Sequence, residues 1–167
     1  KKYFILHAPR QSGKTTAIQD FVKKTNREGT YQALYVNIEA EQASRSNVRE
    51  GLWTIVQQFK TAVKQTTHIQ NEILTYFNQF KSFYTISGNA LADCLTFLSE
   101  NSSKPMLIFI DEIDSLVGDT LIAVLRQLRA GYTNRPNHFP QSVCLIGVRD
   151  VRDYRIWSER QQESILG

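Results

Sequence analysis

Residues 6–16 read LHAPRQSGKTT, and the reading of this stretch decides the fold. It follows the phosphate-loop spacing G-x-x-x-x-G-K-[ST] at every fixed position but the first, where Ala8 stands in place of glycine. The spacing has a physical basis. A glycine-rich turn aims several backbone N–H groups inward, and the helix that follows opens with its unpaired amides facing the same anion. In this reading Pro9, Arg10, Gln11, Ser12, Gly13, Lys14, Thr15 and Thr16 form the nucleotide-binding loop. Gly13 permits close backbone approach, and the Lys14 ammonium reaches the β- and γ-phosphates. The Thr15 hydroxyl is a Mg²⁺ ligand, and the amides from Gln11 through Thr16 make the cradle. A left-handed backbone at Ala8 would cost about 1–2 kcal/mol. But Ala8 precedes Pro9, which pushes it to the extended region that alanine occupies freely.

The surroundings suit such a loop. Tyr3–His7 is a short apolar run fit for a buried strand, broken by Ala8-Pro9. From Lys14 to about Asn26, Ala17, Ile18, Phe21 and Val22 recur at helical spacing, with Gly29 as a stop. Ala33–Ile38 reads as a second strand. A long helical region follows it: Val48, Leu52, Ile55, Val56, Phe59 and Val63 keep a 3.6-residue period. Ile69, Ile73, Tyr76, Phe77 and Phe80 form a second stripe, and Leu91, Leu95 and Leu98 a third. Met106–Ile110 is continuously apolar, as a strand buried on both faces requires. Leu121, Val124, Leu125 and Leu128 mark another helix ended by Gly131, and Val143–Val148 is a fourth strand. Strands alternating with helices predict crossover units and a parallel sheet, so the class is α/β.

The stretch MLIFIDEID, residues 106–114, supplies the second half of the site. An apolar strand ending in a carboxylate places Asp111 at the C-terminal edge of the sheet, where ligands bind in open α/β folds. Asp111 is the candidate to hold Mg²⁺ through a water. Glu112 is the candidate to orient and deprotonate an attacking water. Asp114 is read as a cap of the next helix.

Together, SGKTT and LIFIDEIDSL resemble the P-loop ATPases that carry an added catalytic glutamate, in the AAA+ and STAND-like (archaeal-type ATPase) branch. The resemblance runs from Tyr3 to about Asp150. It implies a three-layer P-loop NTPase fold with strand order 5-1-4-3-2, which puts Val143–Val148 between Tyr3–His7 and Met106–Ile110. The helical insertion after the second strand sits within that plan. It also implies ATP and Mg²⁺ as ligands, with hydrolysis or ATP-gated switching as the activity. The end of the fourth strand, LIGVRD, departs from the asparagine common in AAA+ proteins and offers Arg149, which the resemblance casts as a sensor of the γ-phosphate. Arg126, Arg129 and Arg135 are candidates for an arginine finger reaching a neighbouring subunit. No [NT]-K-x-D motif occurs, which disfavours a GTPase, and the adjacent acids at 111–112 favour water over a substrate hydroxyl as nucleophile.

Composition sets the outer bounds. A chain of 167 residues with 41% hydrophobic and 22% charged residues fits one globular domain, not a disordered one. No apolar run reaches the roughly 18 residues of a membrane helix, and no signal peptide is visible, so a cytoplasmic setting without membrane partners is expected. Cys94 and Cys144 show no metal spacing and read as buried reduced thiols. The chain starts close to its first core strand and stops at ESILG, so residues 1–167 read as one nucleotide-binding domain of a longer chain, lacking its fifth strand and C-terminal lid. Further domains, a protein partner or an oligomer are the expected company. The net charge of +4 and seven arginines, with no lysine, in the last third motivate a rival reading. It is a module that binds nucleic acid or protein and holds nucleotide with negligible hydrolysis. The aromatics of Tyr76–Tyr84, with Tyr154 and Trp157, read as packing residues and not as a base-stacking platform.

Overall fold

Residues 3–39, 47–66, 75, 77, 88–116 and 118–148 are described by a computed structural model. The elements in chain order are β1 (Phe4–His7), α1 (Lys14–Glu28), β2 (Gln32–Asn37), α2 (Val48–Gln65), α3 (Ala90–Glu100), β3 (Met106–Asp111), α4 (Gly118–Gly131) and β4 (Ser142–Gly147). Short 3-10 turns occupy Ile113–Ser115 and Tyr132–Asn134. All strand pairs are parallel, in the order β1-β4-β3-β2. This is the 1-4-3-2 portion of the expected order, and no described residue forms a fifth strand.

Alternation along the strands sorts the side chains into two layers. One sheet face presents Leu34, Val36, Ile108, Ile110, Val143 and Leu145 to the apolar stripes of α2, α3 and α4. The other presents Ala33, Phe109, Cys144 and Ile146 to Ile18 and Val22 of α1. The result is a helix–sheet–helix sandwich with most of its core on the three-helix side. The two cysteines are free and buried, one in each layer.

Local chemistry explains the element ends. Gly29, left-handed at φ 77°, closes α1 by donating its N–H to Thr25 O, an αL-type stop, and the helix runs past Asn26 to Glu28. Asn47 caps α2 through its side-chain oxygen, which accepts from the amides of Arg49 and Glu50. At α3 the cap comes from another helix: buried Gln127 of α4 uses Oε1 to accept from Leu91 N and Ala92 N, both at 3.0 Å. Gly131 is the last residue of α4, and its missing side chain makes room for the Phe139 ring, which lies where a Cβ would be.

One expectation is corrected. The first strand was expected to be buried, yet Phe4, Ile5 and Leu6 are 50%, 41% and 37% exposed. Among the described residues β1 pairs only with β4, so one edge and parts of both faces stay open. An apolar groove of about 370 Å³ runs beside it between Phe4, Phe21, Leu107 and Phe109. Of the second helical stripe only Phe77 is described, and it is buried; Ile69, Ile73, Tyr76 and Phe80 lie outside the described residues, as do Tyr154 and Trp157.

Candidate functional site

The loops that follow all four strands meet at one edge of the sheet. Ala8 N–H donates to Gly147 O at 3.3 Å, carrying the β1–β4 pairing into the loop. Ile38 N–H donates to Asp111 O, and the Ser115 hydroxyl donates to Ile38 O at 3.0 Å. Asp114 Oδ1 accepts from Val148 N at 3.3 Å. The expected role of Asp114 as a helix cap is therefore replaced by a tie between the turn after β3 and the end of β4.

The turn from β1 into α1 answers the question that Ala8 raises. Its left-handed positions are Gln11, at φ 59°, and Gly13, at φ 79°. Ala8 is not among the positive-φ residues, so its methyl group costs the turn nothing. The strain sits at Gln11, a residue type that pays about 1–2 kcal/mol there. Space around Gly13 is open: a Cβ built there would meet no atom within 4 Å, so the demand for glycine is conformational and not steric. Helix α1 begins at Lys14 with no side-chain cap, leaving its first amides directed into the loop. The Lys14 ammonium folds back over this loop, donating to Ala8 O at 2.8 Å and Pro9 O at 3.1 Å.

Directly beside the loop lies the end of β3. Thr15 Oγ1 donates to Asp111 Oδ2 at 2.9 Å, joining residues 96 apart in sequence. Asp111 is 1% exposed. Its Oδ1 accepts the Glu112 amide at 2.9 Å, and its Oδ2 accepts a second hydroxyl, that of Tyr35, at 2.7 Å. A buried carboxylate thus has three donors, which is what burial of that charge requires. The pair of hard oxygen donors, the Thr15 hydroxyl and the Asp111 carboxylate, fits Mg²⁺ by ligand type. The concave turn of free amides fits a phosphate chain.

Glu112 is held left-handed, at φ 60° and ψ 40°, as the residue that opens the 3-10 turn. Such strain in a non-glycine residue is characteristic of functional sites. Partial burial raises its proton affinity above that of an ordinary glutamate. The negative charges of Asp114, Asp111 and Glu39 add to the effect, while Lys14 opposes it.

The structure therefore brings the loop from Pro9 through Thr16 next to Asp111 and Glu112. Arg149 lies outside the described residues. Of the arginine-finger candidates, Arg135 is engaged within the fold: its guanidinium lies 3.4 Å from the Tyr132 ring centroid, and Nε donates to Tyr132 O. Sequence reasoning passed over Tyr35 and Asn37. The available signal was alternation: both share a strand face, and the register sets Asn37 opposite Asp111. Among the described residues no cluster of His, Cys, Asp and Glu has metal-site form, and no helix is long and apolar enough to cross a membrane.

Comparison with known proteins agrees with this geometry. The AAA domain family profile matches residues 1–154, and the chain belongs to that family of P-loop ATPases. No curated protein matches the sequence. Among solved structures, Cdc6p from Pyrobaculum aerophilum is similar in fold with a TM-score of 0.51 at 14% identity, over 89% of this chain and 33% of that one. The Drosophila ORC bound to DNA aligns at a TM-score of 0.45 and 13% identity, over 91% of this chain and 34% of that one. The Drosophila ORC bound to poly(dA/dT) DNA and Cdc6 aligns at 0.48 and 10%, over 94% and 22%. The chain thus spans about a third or less of the length of each.

Proposed function

We propose that this domain binds ATP with Mg²⁺ and hydrolyses it, acting as the motor or switch of a longer protein. The observation that carries the reading is the 2.9 Å contact between Thr15 and Asp111, which joins the phosphate loop to the acidic strand end. Lys14 would leave the carbonyls of Ala8 and Pro9 for the β- and γ-phosphates, a better partner for an ammonium than neutral oxygens. The amides from Gln11 to Thr16 would bind the phosphate oxygens. Thr15 and Asp111 are the residues that would hold Mg²⁺. When bound, the ion would neutralise charge on the phosphate chain.

Glu112 is the proposed base. A water hydrogen-bonded to its carboxylate would be oriented toward the terminal phosphate and would give up its proton to Glu112. The raised proton affinity of this carboxylate brings it nearer to neutrality, as general-base efficiency requires. Arg149, two residues past the end of β4, is proposed to sense the γ-phosphate. The open edge of β1 suits the fifth strand of the family fold.

Replacing Lys14 by alanine tests the binding half of the proposal. ATP affinity, measured with a fluorescent ATP analogue, should vanish in Lys14→Ala while the fold, followed by circular dichroism, is retained. ATP binding equal to wild type in that variant would remove the loop from the account.

A further inference from the structure

Tyr35 is the feature of the site that the phosphate-loop pattern does not account for. It stands on β2, two residues before the strand ends and on the face that carries Asp111. Its hydroxyl donates to Asp111 Oδ2 at 2.7 Å, the same oxygen that accepts from Thr15.

A carboxylate oxygen has two lone-pair directions. On Oδ2 both are taken, one by Thr15 and one by Tyr35, while Oδ1 takes the Glu112 amide and keeps one direction free. Three donors from three elements, α1, β2 and the turn after β3, therefore fix both the rotation and the tilt of the carboxylate. They leave one acceptor site open. Without the phenol, Oδ2 would keep only the Thr15 donor, and the carboxylate would be held by two donors in place of three.

We propose that Tyr35 is a positioning residue for the metal, presenting Asp111 to Mg²⁺ in one orientation. The proposal rests on the Mg–ATP reading above. Outer partners of this kind typically contribute about 10–100-fold to metal affinity. The phenol of Tyr35 acts through Asp111, so its effect belongs to the metal-dependent part of binding.

The test is the affinity of wild type and Tyr35→Phe for a fluorescent ATP analogue, each measured in excess EDTA and in excess Mg²⁺. The phenylalanine variant removes one oxygen and keeps the ring. Its affinity in EDTA should equal that of wild type, while the gain from adding Mg²⁺ should fall about 10-fold. In an Asp111→Asn background the same change should have no further effect on that gain. An unchanged or larger gain in Tyr35→Phe overturns the proposal. Equal losses in EDTA and Mg²⁺, or a variant that does not fold, assign Tyr35 to packing and overturn it as well. Wild type binding no analogue in either condition would instead overturn the ATP reading, and Tyr35's metal role with it.

Discussion

The hydroxyl of Thr15 donates to a carboxylate oxygen of Asp111 at 2.9 Å, so a hydrogen bond ties the first turn of α1 to the last residue of β3 beside the phosphate loop. Breaking either end should disconnect metal from nucleotide. Thr15→Val should retain ATP binding in EDTA and lose most of the gain that Mg²⁺ brings. Titration of a fluorescent ATP analogue with and without Mg²⁺ reads this directly. A full Mg²⁺ gain in the valine variant would show that the contact is structural only.

Gln11 carries a left-handed backbone in the phosphate loop. A non-glycine residue there costs about 1–2 kcal/mol, against which glycine brings roughly 0.5–1 kcal/mol of extra chain entropy. Gln11→Gly should therefore be neutral to stabilising, by up to about 1 kcal/mol, or about 2–4 °C in melting temperature. A loss of stability in this variant would mean that the Gln11 side chain contributes more than its backbone costs. Ala8→Gly, where no such strain exists, should destabilise slightly.

Glu112 binds its proton more tightly in the folded protein than in the unfolded chain, chiefly through burial and then through its acidic neighbours. A raised carboxylate favours the fold while protonated. Its contribution is fully present below the ordinary glutamate range and is lost as pH rises through the folded value. At neutral pH the ionised side chain opposes folding. Glu112→Gln should consequently melt higher than wild type at pH 7 in EDTA, and the gap should close as the pH is lowered toward 4. Melting curves across that range check it, and a gap that widens in acid would contradict the assignment.

Gln127 and Gly131 hold the helical layer together. In Gln127→Leu the amides of Leu91 and Ala92 would lose their acceptor, at about 1–3 kcal/mol for a buried unsatisfied group. In Gly131→Ala the new methyl group would enter the space of the Phe139 ring, at about 1–3 kcal/mol. Chemical denaturation of the two variants measures both costs. Gly131→Ala with Phe139→Leu should recover part of the loss, because the smaller side chain yields the space.

Much of this was legible in the residues. Met106–Asp111 is apolar on both faces and ends in an acid, and it is an interior strand between β4 and β2. The amphipathic periods of α1, α2 and α4 predicted their positions, and the glycine stops placed the ends of α1 and α4. The exposure of β1 was not legible: FILH has the composition of a buried strand, and burial depends on what lies beside it. The site followed the same division. Spacing singled out Lys14, Thr15, Asp111 and Glu112 as candidates, since each belongs to a short local pattern. Tyr35 reaches Asp111 only because β2 pairs with β3 in a register that no local pattern encodes. The strain at Gln11 and the tie between Asp114 and Val148 likewise arise from the geometry of loops brought together by the sheet.

The most direct test of the central claim is ATP binding and turnover in Mg²⁺ by the wild type beside Glu112→Gln. The account predicts that both bind ATP, that the wild type releases phosphate, and that the glutamine variant retains ATP without turning it over. Phosphate release by Glu112→Gln at the wild-type rate would contradict Glu112 as the base. Failure of the wild type to bind ATP would contradict the nucleotide site itself.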